Sequence, residues 1–256
     1  MTDTILVSGA GSGIGRAIAL DYDRTRPGTH IILLGRREAP LLETRQLMKR
    51  AKDVTIATAS QSDQSALHAA LAKLDLPGRN LTAVIANAGV GGENRYGASD
   101  RWGEIINTNL TGTYYLIQEC LPALLAAKQK PRHVVIVASI LARLGVPGYS
   151  AYCASKAGLL GLMRSLAAEH AKAGVYVNAV LPGWVNTDMA RQGIEQFAKH
   201  IGKPYEQALA MQMGPVPTGK MSEPAEVATV VSYLTSNAQS SFTGQCFDIN
   251  NGALMP

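Results

Sequence analysis

Between positions 149 and 156 the chain reads YSAYCASK. Side chains four residues apart on a helix lie one above the other on the same face. Tyr152 and Lys156 would therefore share a face, while Tyr149 would have Cys153 in the corresponding place. A phenol with a pKa of about 10 is a poor base near neutrality. An ammonium one helical turn away favours the phenolate and draws that value down. The pair suits proton transfer, with Tyr152 as the acid or base and Lys156 as its tuner. Cys153 is accompanied by no histidine and reads as a packing residue rather than a nucleophile.

A second group lies near the start, where the apolar run TILVS (4–8) enters SGAGSGIG (8–15). Gly9, Gly13 and Gly15 give the spacing G-x-x-x-G-x-G, with Gly11 as an extra glycine. Glycines at a strand-to-helix turn let the backbone approach a ligand and aim free N–H groups at it. Such a turn suits a pyrophosphate when a strand precedes it, a helix follows and further strand–helix units come after.

These residues need a scaffold, and its pattern recurs along the chain. Continuous apolar runs stand at 4–8, 30–34, 54–59, 81–87, 133–139, 175–181 and 246–249, with helical segments predicted near 13–25, 38–51, 63–73, 99–128, 150–173 and 223–236. Runs that do not alternate with polar residues suit strands covered on both faces. Strand and helix in alternation predict a doubly wound parallel α/β sheet in three layers, α/β/α, as a single domain over 1–256. Ser222 is the expected N-cap of the last helix, with Pro224 in its first turn. The stretch 184–221, rich in Gly, Pro and Met, breaks the rhythm and is expected to be a substrate loop.

Composition excludes several functions. Hydrophobic residues make up 46% of the 256, enough for a large core, but aromatics are 5%, too few for stacking nucleic-acid bases, and the charge of +5 is dispersed. No nucleic-acid partner is expected. No run of 18 apolar residues occurs and the start lacks a secretory pattern, so no membrane association is expected. The three cysteines have no CxxC spacing, consistent with reduced thiols in the cytoplasm, and the five histidines lack ligand spacing, so no metal is expected.

Six features in one order carry a resemblance: Gly9–Gly15, NAG at 87–89, NTNLTG at 107–112, Ser139 at a strand end, Tyr152–Lys156, and PGWVNT at 182–187. Together the chain resembles the single-domain short-chain dehydrogenases/reductases, from the first strand to the last residues. The resemblance implies a Rossmann-like fold, a homotetramer, and an oxidoreductase that interconverts a ketone and a secondary alcohol, 3-oxoacyl-reductase-like or carbonyl-reductase-like. Tyr152 would exchange the proton and Ser139 would hydrogen-bond the developing oxyanion. Lys156 would also hold the nicotinamide ribose, and Asn109 would stand behind the lysine on a water relay. The dinucleotide would be held by Gly9, Ser12, Gly13, Ile14, Gly15, Asn87, Gly89, Pro182, Gly183, Val185 and Thr187, besides Tyr152 and Lys156. A redox-sensing binding protein and a non-catalytic subunit of a larger assembly are the alternative readings.

The second strand ends in Gly35, Arg36 and Arg37, where an acidic residue would bind the ribose hydroxyls of NAD. Arginines there suit a 2′-phosphate, so NADP(H) is expected, with NAD(H) left open. The family's aspartate after the third strand is replaced by Ser60, which puts adenine contact at that point in question. Leu141, Tyr149, Trp184 and Met189 are the candidate residues for a mainly apolar small-molecule substrate.

Overall fold

The computed structural model describes residues 2–51, 53–129 and 131–256. Strands β1 (Asp3–Ser8), β2 (His30–Gly35), β3 (Asp53–Thr58), β4 (Asn80–Ala86), β5 (Arg132–Val137), β6 (Val175–Pro182) and β7 (Cys246–Ile249) form one sheet in the order β3-β2-β1-β4-β5-β6-β7. All neighbouring strands run parallel. The chain winds outward from β1 to β3, then returns to place β4 on the other side of β1. That reversal opens a crevice beyond the carboxyl ends of β1 and β4, where ligands bind in sheets of this kind.

Continuous apolar runs become strands here because each successive side chain has its own helical layer to enter. Leu6, Ile32, Leu34, Val84 and Ile136 face one core, with Leu116 and Cys120 of α5 (Gly112–Ala126) and Leu159 and Met163 of α6 (Ser150–His170). Ile5, Val7, Ile31, Leu33 and Ile85 face the other, with Ile18 and Tyr22 of α1 (Gly13–Thr25), Leu41 of α2 (Glu38–Leu47), and Val227 and Val231 of α9 (Pro224–Leu234). Helix α3 (Gln64–Ala72) completes the first layer through Leu67 and Leu71. Each fully buried aliphatic side chain is worth about 1.5–3 kcal/mol, so both faces of the strands are strongly fixed. Among the described residues, no helix is long and apolar enough to cross a membrane.

Four expectations need correction. The helix predicted over 99–128 is α4 (Trp102–Ile106), a wide π turn over Asn107–Thr111, then α5. The one predicted to reach 51 stops at Leu47, where Met48 turns to extended backbone. The stretch 184–221 is not a loop; it carries α7 (Asp188–Ile201) and α8 (Tyr205–Met213), whose Ile194, Ala198 and Ala208 make a small core of their own. Finally, the N-cap of α9 is Glu223, whose N–H donates to the Glu226 carboxylate at 2.6 Å, while Ser222 accepts from the Asn251 amide.

Candidate active site

The turn after β1 is held from several sides. Gly9 and Gly13 have φ of +66° and +50°, in the left-handed region that favours glycine. The Ser8 hydroxyl accepts the N–H groups of Asn87 and Ala88, each at 3.0 Å, and the Asn87 amide donates to the Ser8 carbonyl at 3.0 Å. Thr44 donates to the Ala10 carbonyl at 2.9 Å, and Arg16 bridges the Gly11 carbonyl and Glu43, so α2 braces the turn. A Cβ on Gly15 would stand 2.2 Å from the Gly9 carbonyl oxygen and 2.5 Å from the Asn87 amide nitrogen. Gly15 therefore lets α1 pack on the turn that borders the cleft.

The cleft has a volume of about 260 Å³. Gly9, Ser12, Gly13 and Ile14 line it after β1, Asn87 and Gly89 after β4, Tyr152 and Lys156 from α6, and Thr187 and Met189 from the start of α7. A Cβ on Gly13 would meet the Thr187 methyl at 3.2 Å, so Thr187 closes over the turn. Pro182, Gly183 and Val185, like Ser139 and Asn109, stand beside this lining rather than in it. Gly183 packs on Asn250, and Val185 is buried and bridges to Ser222.

The lining suits an anionic dinucleotide. Ser12 precedes α1 without spending its hydroxyl on a capping bond, and the first turn of that helix has no acidic residue to oppose its positive end. Arg36 and Arg37, both exposed, stand at the outer end after β2. Ser60 lines the wall where an aspartate was expected, beside Ala59 and Gln61. The Gln61 amide donates to the Ala88 and Thr108 carbonyls at 3.0 and 2.9 Å, leaving its buried carbonyl oxygen without a partner among the described residues.

At the other end, α6 brings Tyr152 and Lys156 to one face. The buried Lys156 ammonium donates to the Val137 carbonyl at 2.9 Å and stands 5.6 Å from the Tyr152 ring centroid. Burial lowers its pKa to about 8. Burial raises the pKa of the Tyr152 phenol, and a hydrogen bond with the Ser139 hydroxyl opposes the rise. The Lys156 ammonium donates to a backbone carbonyl, and desolvation is the largest influence on the Tyr152 phenol.

Ser139 stands two residues beyond β5 and caps the short turn Ile140–Ala142, its hydroxyl accepting the Leu141 N–H at 3.2 Å. Asn109 sits in the π turn, accepts the Val90 N–H at 2.8 Å, and donates to the Val90 carbonyl at 3.0 Å and Ser155 at 3.1 Å. A Cβ on Gly89 would lie 3.1 Å from the Asn109 oxygen and 3.6 Å from the Lys156 nitrogen. The glycine leaves room for asparagine and lysine to converge on it.

Of the four candidate substrate residues, Met189 lines the cleft from the first turn of α7, its sulfur 3.0 Å from where a Gly91 Cβ would be. Tyr149, half-buried before α6, has a phenol pKa raised by burial and by the Glu93 charge. Leu141 is outside the lining, and Trp184 packs instead on the small α7–α8 core. Sequence reasoning missed Ser8, Gln61 and Thr108. Their signal lies in contacts across 47 to 80 residues of chain, which no local pattern carries.

A family model described as "short chain dehydrogenase" matches residues 3–197. A 3-oxoacyl-[acyl-carrier-protein] reductase FabG of Staphylococcus aureus is 28% identical over 100% of this chain and 99% of its own length. Its counterpart in Rickettsia bellii is 30% identical over 98% and 97% respectively. Among solved structures, an actinorhodin polyketide ketoreductase with NADPH superposes with a TM-score of 0.90 at 29% identity, covering 98% of this chain and 97% of the other.

Proposed function

The chain belongs to the short-chain dehydrogenase/reductase family, an NADP(H)-linked oxidoreductase of the 3-oxoacyl-reductase-like kind, and we propose that it reduces a ketone on a mainly apolar substrate to a secondary alcohol. The observation that carries this reading is the meeting of Tyr152, Ser139 and Lys156 at one end of a cleft whose other end is basic. The relatives named above reduce 3-oxoacyl groups on a carrier protein or a polyketide ketone, by their names, and a 3-oxoacyl thioester is the first substrate to try.

NADP(H) would lie along the glycine turn, with Arg36 and Arg37 at its 2′-phosphate and Lys156 at the nicotinamide ribose. When bound it supplies the hydride. The chain's own residues handle the oxygen. Ser139 donates to the carbonyl oxygen and holds it against the phenol. Tyr152 gives up its proton as the alkoxide forms, and a raised pKa keeps that proton in place at neutral pH until it is needed. Lys156, charged below about pH 8, then lies close to the phenolate left behind. Asn109 fixes the backbone beside the lysine and leaves a route for a water to return the proton.

One catalytic and dinucleotide-binding domain over 1–256, with 184–221 as the substrate region, fits this scheme. A cytoplasmic homotetramer belongs to the same reading. The surface for assembly is α4 and α5, which expose Trp102, Tyr114 and Leu125, rather than α6, whose Leu159, Leu160, Met163 and Leu166 are spent on the core. Initial rates on 3-oxoacyl thioesters, simple ketones and secondary alcohols, each with NADPH/NADP and NADH/NAD, test the proposal. Ketone reduction with NADPH preferred is expected. Tight dinucleotide binding without turnover of any substrate would instead mark a redox sensor or a non-catalytic subunit.

A further inference from the structure

Helix α6 carries the proton-transfer residues, yet its N-cap, Tyr149, offers no side-chain cap. The cap comes from 57 residues away. Asn94, in the segment after β4, is 5% exposed, and its carbonyl oxygen accepts the buried Ala151 N–H at 2.9 Å and the Ser150 hydroxyl at 3.2 Å. Its backbone N–H donates to the Gly148 carbonyl at 2.8 Å, and its amide nitrogen donates to the Asp100 carboxylate at 3.3 Å. The same Asp100 oxygen accepts the Trp102 N–H at 3.0 Å at the start of α4, which packs against α6 and leads into the π turn that carries Asn109.

We propose that Asn94 is a positioning residue, a latch that ties the first turn of α6 to the start of α4 and so sets Tyr152 against Ser139 and Asn109. Tyr152 follows the latched Ala151 directly. A free first turn would frustrate hydrogen-bond geometry at the reacting oxygen without touching the glycine turn or the arginines. The latch therefore acts chiefly on turnover, since most of the dinucleotide's contacts, at the glycine turn and the arginines, lie away from α6. This inference rests on the ketone-reductase reading for its kinetic side, while the latch itself has a readout free of it.

Three variants test it in the full-length protein: N94A, N94D and N94D/D100N. Removing the cap in N94A should lower kcat about tenfold or more, since small misplacements of catalytic groups are costly. The KM for NADPH and its Kd by fluorescence should stay within about threefold. N94D keeps the acceptor for Ala151 but sets two carboxylates against each other, and it should also lose kcat. N94D/D100N restores a donor at position 100 facing an acceptor at 94, at the expense of the acceptor for the Trp102 N–H, and should regain part of the lost kcat. Amide exchange at Ala151 and Tyr152, measured without substrate, should speed up about tenfold in N94A and be protected again in the double variant. A merely structural role would lower Tm while leaving kcat in place, and that result overturns the proposal. So does a double variant no better than N94D, which decides the matter even where N94A folds poorly. Unchanged exchange in N94A removes the latch even if the wild type reduces ketones. If exchange responds as expected but the wild type turns over no ketone or alcohol, the latch stands and the catalytic reading falls.

Discussion

Replacing Lys156 with methionine removes an ammonium from one of the least accessible positions of the cleft, 5% exposed, and leaves a chain of similar length and shape. Burial takes the lysine pKa from 10.5 to about 8. At about 1.4 kcal/mol per pH unit, keeping that group charged in the folded protein at pH 7 costs about 3 kcal/mol. Its bond to the Val137 carbonyl returns about 1 kcal/mol. K156M should therefore be about 2 kcal/mol more stable than the wild type at pH 7, a Tm rise of about 4–8 °C for a chain of this size. The pH dependence gives a second check. The unfolded lysine keeps its proton up to about 10.5, whereas the folded one releases it near 8, so the unfolded state binds more protons across that window. Wild-type stability gains from this group as pH rises from 8 to 10.5, and the advantage of K156M should shrink over the same range. Urea unfolding at fixed protein concentration, at pH 7 and pH 10, measures both, and turnover should be lost throughout. A K156M protein less stable than the wild type at pH 7 would refute the argument, because the ammonium would then be supported rather than penalised by its site.

Further outcomes follow from the cleft. Y152F should lower turnover by at least about 10²-fold where chemistry limits the rate, with Y149F doing much less; equal rates in the two variants would sink the assignment of Tyr152. R36A should raise the KM for NADPH about ten- to hundredfold while that for NADH stays nearly constant, as expected for the loss of a hydrogen bond to a charged phosphate. A wild type that prefers NADH would reverse this reading of the arginines. G15A, which forces a methyl against the Gly9 carbonyl, should destabilise the fold by about 1–3 kcal/mol; an unchanged Tm would mean that α1 can shift freely away from the turn.

The sheet was legible because its strands are covered on both faces, so each wrote itself as an unbroken apolar run. The catalytic pair was legible for a related reason: a helix converts a spacing of four into contact. Helices α7 and α8 were in principle readable too. Thr187 caps the first, its hydroxyl accepting the Ala190 N–H at 3.3 Å, and Gly202 ends it at φ +63°. Their glycine and methionine content concealed a helical period whose apolar face serves a core of its own. What no local pattern could give is how distant segments meet. Gln61 reaching the Thr108 carbonyl and Asn94 capping α6 are bonds between residues that only the folded sheet brings together. The surroundings of Lys156 lie at the same level: spacing sets its face on the helix, while its burial and its bond to the Val137 carbonyl come from the fold.

The wide turn over Asn107–Thr111 holds more chain per revolution than the α-helix on either side. In effect it is one surplus residue stored within a helix. The surplus changes the phase of everything beyond it: side chains of α4 and α5 that a uniform helical wheel would put on one stripe are offset by roughly 100°, the angle of one residue at 3.6 per turn. The break falls at the point where Thr108 and Asn109 turn inward and are buried. Shortening the chain by one residue there would heal the helix and, in the same stroke, rotate one half of it against the other. Tolerance to length change should therefore be lowest where the backbone looks most irregular, which is the opposite of what holds for a surface loop.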